Sequence, residues 1–348
     1  MKNKIAFVAV GQAGGNIGRL FENKGYSVLY INTSQEDLDT LEAAKYKYHI
    51  PGGEGCNKDR HKAKQLVVDD FDRIAAEIDS KIKQKMIFVI FASGGGTGSG
   101  AGPMLIDLLT DEDKTVGAIT IIPGENESVK SHINAYECFS ELVEIDATAA
   151  CFILDNSKGE KMKLNPVFVD DFCSFLEIPE TYTSEEGNID KAEIEETLKA
   201  HGMAVVVRKK ADNSAKAIDA LKDNIFAPIE ADQTVKYIAA ALPPKVAMID
   251  VQKAAGVPID TFQTVSKDET VMCLSGLSYP TTRLDSVYSR VDENRETILK
   301  NLNAAKETSL KKDVNFLTGV SGGRGSSGRP EQPKRPKARR DIMSKYLS

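Results

Sequence analysis

The sequence predicts an α/β protein: a Rossmann-like parallel sheet with helices on both faces, a central helix, a smaller α+β domain, a long C-terminal helix and a disordered basic tail. Three observations carry this prediction. Through residue 155, short apolar runs alternate with helical stretches, as in consecutive βαβ units. The runs end in glycine- or amide-rich loops, and ligands of parallel sheets gather at the carboxyl ends of strands. Beyond about residue 188 the alternation becomes irregular, and after residue 318 the chain turns to Gly, Ser, Pro and basic residues.

The elements follow in order. "KIAFVAV" is a buried strand, "GQAGG" its loop, and "NIGRLFENK" a helix stopped by Gly25. "SVLYINT" is a second strand and "QEDLDTLEA" a short helix. The glycine loop "PGGEGCN" feeds one long helix with Val67, Phe71, Ile74, Ile78 and Ile82 on one face, in steps of three and four. Then come strand "MIFVIFA", loop "GGGTGSG" (94–100), helix "PMLIDLL", strand "TVGAITII", a helix over 128–145 and strand "TAACFIL". In the second half we expect a helix over 190–200, strand "MAVVVRKK", helical segments near 214–222 and 232–241, and strands "KVAMIDV" and "TVMCLSGLSY". A helix over about 282–311 carries Leu284, Val287, Val291, Ile298, Leu302 and Ala305 on one stripe. The divisions expected are 1–165, nucleotide binding; 166–187, central helix and connection; 188–281, second α+β domain; 282–318, long helix; and 319–348, tail.

With 348 residues, 41% apolar and 28% charged, the chain can bury more than one ordinary core. No apolar run approaches the ~20 residues of a membrane span, and the first apolar stretch runs into glycines rather than a cleavage-site pattern. Five cysteines without a CxxC pair fit buried thiols in a reducing cytoplasm. Four histidines without HExxH-type spacing give no zinc site. The net charge of −6 is uneven: the last thirty residues hold eight basic residues against Glu331 and Asp341.

Five of the seven residues in "GGGTGSG" are glycine, each costing roughly 0.5–1 kcal/mol in place of a better strand or helix former. The familiar lysine-bearing phosphate loop is not matched, because Ala101, Gly102 and Pro103 follow. Gly94, Gly95, Gly96 and Gly98 let backbone N–H groups approach phosphate, and Thr97 and Ser99 add hydroxyls. The next helix presents its N-terminus, with Pro103 suited to its first turn.

At this point the chain resembles the tubulin/FtsZ superfamily of GTP-dependent filament proteins. "GGGTGSG" resembles its signature loop, and the motif order agrees over roughly residues 1–280. "GQAGGNIG" resembles the first loop beside the phosphates and base (Gly11, Gln12, Ala13, Asn16). "NTSQEDL" resembles the second loop (Asn32), and "PGGEGCNKD" the loop near the γ-phosphate (Gly53, Gly55). The resemblance puts Glu127 on the ribose, with Ser131 where an arginine often stands, and Asn156 of "LDNSK" on guanine. It puts Phe168 or Phe172 against the base and Asp171 at the guanine edge; an apolar helix face explains these phenylalanines equally well. Gln12 is the expected partner of a Mg²⁺-bound water.

"GNIDKAEIEETL" resembles the loop that reaches the next subunit's nucleotide, with Asn188, Asp190 and Glu193 in the catalytic places. On residues alone it is an ordinary acidic helix N-terminus. The resemblance implies GTP/GDP and Mg²⁺ as ligands, hydrolysis completed by assembly, and head-to-tail self-association. The long helix and basic tail look most like the TubZ-type partition branch, which moves plasmid or phage DNA through a centromere-binding adaptor; direct tail–DNA contact is a further reading. Alternatives are an FtsZ-type division protein and a dinucleotide-dependent oxidoreductase, the latter opposed by Ala13 at the middle glycine of its fingerprint.

Overall fold

A computed structural model describes residues 1–112, 114–184, 187–211, 213–231 and 235–307. The basic tail, 319–348, lies outside the described residues. The first half runs β1 (Ile5–Val10), α1 (Gly11–Asn23), β2 (Ser27–Asn32), α2 (Gln35–Asp39), β3 (Tyr46–His49), α3 (Arg60–Asp69), α4 (Phe71–Lys81), β4 (Met86–Ala92), α5 (Thr97–Thr110), β5 (Thr115–Ile122), α6 (Val129–Leu142) and β6 (Ala150–Asp155). The second runs α7 (Lys161–Leu176), α8 (Ile178–Thr181), α9 (Lys191–Lys199), β7 (Gly202–Lys210), α10 (Ser214–Lys222), β8 (Tyr237–Leu242), α11 (Met248–Ala255), β9 (Asp260–Val265), β10 (Glu269–Leu277), α12 (Thr281–Glu293) and α13 (Arg295–Glu307).

The strands join one sheet in the order β3-β2-β1-β4-β5-β6-β7-β10-β8-β9. From β3 to β6 every pairing is parallel. Strands β1 and β6 are buried along their whole length, which explains their unbroken apolar runs. The parallel part meets the rest through a short seam, Ala150↔Gly202 to Phe152↔Ala204. Beyond it β10 runs antiparallel to β7 and β8, and β9 lies parallel to β8 at the edge.

Helix α1 lies so close on the sheet that a Cβ at Gly14 would fall 2.3 Å from the Ile90 carbonyl oxygen. Helix α7 packs its aromatic face inward. Phe168 and Phe172 are fully buried, and their rings meet Phe21 and Phe152 at centroid distances of 5.2–6.1 Å. This cluster fixes α7 against the sheet, and its sixteen residues carry the chain ~24 Å away from β6 at the helical rise.

Four sequence expectations change. The helix expected through Val67 to Ile82 breaks at Asp70, which accepts a hydrogen bond from Tyr48 (2.5 Å). The segment read as helix near 232–241 contains β8, whose alanines suit a strand buried between β10 and β9. "KVAMIDV" contains the start of α11, where Val251 and Ala255 share the buried face. The helix expected over 282–311 is, through its described residues to 307, two helices, α12 and α13, which meet at Asn294.

Candidate functional site

A cleft of about 380 Å³ opens at the carboxyl ends of β1, β4 and β5. Its floor is the glycine loop between β4 and α5, with Gly94, Gly95, Gly96, Thr97 and Gly98 all on its wall. Ser93 Oγ donates to the Ile121 carbonyl (2.8 Å), tying the exit of β4 to β5. The loop has no room to grow: a Cβ at Gly96 would fall 2.9 Å from the Lys58 nitrogen and 3.0 Å from the Cys56 Cβ. Thr97 begins α5 and shares a hydrogen bond with Thr33 (2.7 Å).

The first loop contributes Gly11, Gln12 and Ala13 to the same wall, with Gly11 at φ +71°. Asn16 and Asn32 stand in a narrow recess beside the cleft, which Gly11, Gln12 and Asp37 share with it. Asn32 is buried; its Nδ2 donates to Asp37 (3.1 Å) and its Oδ1 accepts from the Ser34 N–H (3.2 Å). Gly55 lines the cleft, whereas Gly53 packs beneath, where a Cβ would meet the Thr33 carbonyl oxygen at 2.7 Å.

Glu127 and Asn156 close the far side. Asn156 Nδ2 donates to Glu127 Oε1 (2.9 Å), and Lys161 Nζ lies 3.3 Å from that oxygen. Burial disfavours the Glu127 charge, but the Asn156 hydrogen bond and Lys161 outweigh it and hold the carboxyl below its usual range.

Three expected contacts are corrected. Phe168 does not line the cleft, because it is spent in the aromatic core with Phe21, Phe152, Phe172 and Phe226. Ser99 is fully buried and its hydroxyl donates to the Gly95 carbonyl (2.5 Å), so it shapes the loop from behind. Asp171 lies on α7, where Arg208 of β7 opposes the effect of burial on its carboxyl, away from the cleft lining.

Sequence reasoning also missed residues. Ser34, Asp37 and Lys58 line the cleft. Asn57 and Lys58 both take positive φ, 43° and 58°. That turn folds Lys58 over the glycine loop, where Nζ donates to Ser128 Oγ (2.8 Å) and Ser131 Oγ (2.7 Å). Asn134 Nδ2 staples the two loops by donating to the Lys58 carbonyl (3.0 Å) and the Gly95 carbonyl (2.8 Å). Ser34, Asp37 and Lys58 stand in the quoted "NTSQEDL" and "PGGEGCNKD" stretches, but the turn that carries Lys58 over the glycine loop is conformational and not written in the residue types.

Asn188, Asp190 and Glu193 lie elsewhere. Asp190 caps α9 in a capping box: Oδ1 accepts from the Ala192 and Glu193 N–H groups (2.7 and 2.9 Å), and Glu193 Oε2 accepts from the Asp190 N–H (2.8 Å). Asn188 Oδ1 accepts from the Ser184 N–H (2.7 Å). Lys191 pairs with Glu180 (2.7 Å), and Glu195 pairs with Lys4 just before β1. A shallow hollow here is formed by Met1, Lys2, Asn3, Glu177, Glu180 and Lys191. The acidic loop is thus at the amino end of β1, whose carboxyl end supplies Gly11 to the cleft.

The far side of the cleft is clamped from the C-terminal part. Arg283 of α12 donates from Nε to Asp155 Oδ2 (2.7 Å), from Nη2 to Asp155 Oδ1 (3.2 Å) and to the Pro123 carbonyl (2.7 Å), all buried. Among the described residues no group of three or more His, Cys, Asp or Glu side chains could hold a metal ion, and no helix is long and apolar enough to cross a membrane.

A parallel sheet with a glycine cradle and a helix N-terminus at its carboxyl edge defines a phosphate-binding α/β protein. Known proteins narrow the class. The Tubulin/FtsZ family GTPase domain matches residues 4–162. The Tubulin-like protein TubZ of Clostridium botulinum C phage is 30% identical over 318 residues, 87% of this chain and 88% of that protein. The crystal structure of Clostridium botulinum phage c-st TubZ superposes with a TM-score of 0.78 at 28% identity, covering 85% of this chain and all of that one. A GTPγS-form protofilament of Bacillus thuringiensis serovar israelensis TubZ shares the fold, with a TM-score of 0.75 at 15% identity over 87% and 94% of the two chains. The chain belongs to the tubulin/FtsZ family and carries its GTPase domain.

Proposed function

We propose that this protein binds GTP and Mg²⁺ in the cleft, assembles head-to-tail into filaments, and hydrolyses GTP only where one subunit's acidic loop meets the next subunit's nucleotide. The observation that carries this reading is the placement of the two features at opposite ends of β1 and α7. One face cannot serve both, so a second copy stacked in the same orientation brings them together. Such an interface repeats without closing. The phage TubZ relative supports the reading, as does the solved protofilament of a protein with the same fold.

The chemistry fits the residues. Phosphoryl transfer needs charge stabilisation and a positioned water more than covalent catalysis. Gly94 to Gly98 and the α5 terminus provide the cradle, Glu127 and Asn156 the ribose and guanine contacts, and Gln12 a partner for a metal-bound water. Mg²⁺, when bound, would supply positive charge to the phosphate oxygens, and Gln12 is the residue that would hold one of its waters. Asp190 spends Oδ1 and Glu193 spends Oε2 on the capping box, leaving Asp190 Oδ2 and Glu193 Oε1 for a water on the neighbour's nucleotide.

The cellular role we infer is segregation of plasmid or phage DNA in the cytoplasm, with the basic tail engaging a centromere-binding adaptor or the DNA itself. Sedimentation and electron microscopy with GTP, GDP and a slowly hydrolysed analogue test the assembly reading. Filaments are expected with GTP and the analogue, and turnover should rise more than proportionally with protein concentration. Strict proportionality would mean a self-contained site and overturn it.

A further inference from the structure

We propose that Thr264 of the edge strand β9 is a positioning residue for hydrolysis: by holding the Gly187 carbonyl it aims Asn188 and Asp190 of the acidic loop at the nucleotide of the next subunit. The inference rests on the acidic-loop reading above and deepens it by one residue.

The loop has an inner and an outer side. Ile189 is 2% exposed and belongs to the core, whereas Asn188 and Asp190, its two neighbours, are exposed. Successive side chains of extended backbone point opposite ways, and Asp190 is extended, at φ −96° and ψ 177°. Burying Ile189 therefore turns Asn188 and Asp190 outward together. On the far side of Ile189 the capping box fastens Asp190 to α9. On the near side the anchor is Gly187, whose carbonyl accepts from Thr264 Oγ1 (3.0 Å).

Asn188 depends on that anchor. Its own Oδ1 accepts from the Ser184 N–H, a bond within the loop that does not fix the loop to the sheet. Thr264 can fix it, because it is 1% exposed and its strand pairs with β8 at Ala241↔Thr264. Gly187 also lies close on β9: a Cβ there would fall 3.1 Å from the Gln263 carbonyl oxygen, and its φ of +146° is one that residues with a side chain rarely adopt. Hydrolysis tolerates little play in such a loop, since a displacement of about 1 Å can cost on the order of a hundredfold in rate. Nucleotide binding is a separate matter, because neither Thr264 nor Gly187 lines the cleft.

The test compares the full chain with its Thr264→Val, Thr264→Ser, Gly187→Ala and Asp190→Asn variants in GTP binding, sedimentation and phosphate release per sedimented subunit. Thr264→Val should bind GTP and sediment as the parent does while releasing phosphate about tenfold more slowly, and Thr264→Ser, which keeps the hydroxyl, should restore the rate. Parent-like turnover in Thr264→Val, a loss of GTP binding as large as the loss of turnover, or no rescue by serine would overturn the assignment. If Thr264→Val aggregates without nucleotide, Gly187→Ala decides in its place, because it strains the same loop and leaves the β9 hydroxyl intact: slowed turnover with GTP binding kept upholds the anchor, and parent-like turnover overturns it. Asp190→Asn separates the two levels. If it hydrolyses GTP as fast as the parent, the acidic-loop reading falls and this inference with it; if it is slow and Thr264→Val is not, only the role of Thr264 falls.

Discussion

The hydroxyls of Thr33 and Thr97 lie 2.7 Å apart, joining the end of β2 to the start of α5 beneath the cleft. Thr33 also reaches Cys56 Sγ at 3.3 Å. One buried threonine thus gathers the second loop, the loop before α3 and the phosphate loop into one wall.

Thr97→Val keeps the bulk and removes this hydrogen bond. The expected cost is about 0.5–1.5 kcal/mol of stability, read from urea unfolding, with a several-fold loss of GTP affinity. Unchanged affinity would limit Thr97 to a structural part.

Asp190→Asn and Glu193→Gln keep groups able to cap and box α9 while removing the charges. Both variants should bind GTP as the parent does, hydrolyse it at least tenfold more slowly and form longer-lived filaments, seen by phosphate release and sedimentation. Loss of GTP binding in either would place these residues in the wrong role.

Burial pushes the Asp171 carboxyl up to about 7, with Arg208 opposing the shift and Asp170 adding to it. The folded protein therefore keeps a proton that the unfolded chain releases above the ordinary aspartate range. Stability from this group is full below about pH 4 and is lost as pH rises through about 7. Asp171→Asn should raise the urea midpoint at pH 8 and change it little at pH 4. Parallel pH profiles for the two proteins would remove Asp171 from this account.

Arg283→Met strands the Asp155 carboxylate in the interior. Breaking a buried pair this way costs about 3–5 kcal/mol. A lowered urea midpoint should be joined by weaker binding of both GTP and GDP, since Asp155 Oδ1 also holds the Ser157 N–H (2.8 Å) beside Asn156. A loss of stability without any loss of affinity would separate the clamp from the nucleotide.

The parallel half of the fold was legible because its strands are buried on both faces and its glycine loops punctuate them. The second half was harder. The alanine-rich β8 carries no branched or aromatic run to mark a strand, and α11 is too short for its periodicity to stand out. In the site, Gly94 to Gly98, Glu127 and Asn156 were readable because their loops are short and close to strand ends. Phe168 misled because an inward aromatic on a central helix looks the same whether it meets a base or Phe152. Lys58 stands in the quoted "PGGEGCNKD" stretch, but its reach over the glycine loop could not be read because it depends on a left-handed turn and on Asn134, far along the chain.

The Arg283–Asp155 clamp has a mechanical consequence. Helix α12 is bonded through Arg283 to the strand end that leads into Asn156, so on the proposed reading a load carried beyond α13 would reach that strand end through α12. Such a load on the tail would be felt beside the corner proposed to hold the base, so the holds on nucleotide and on cargo would share a single mooring.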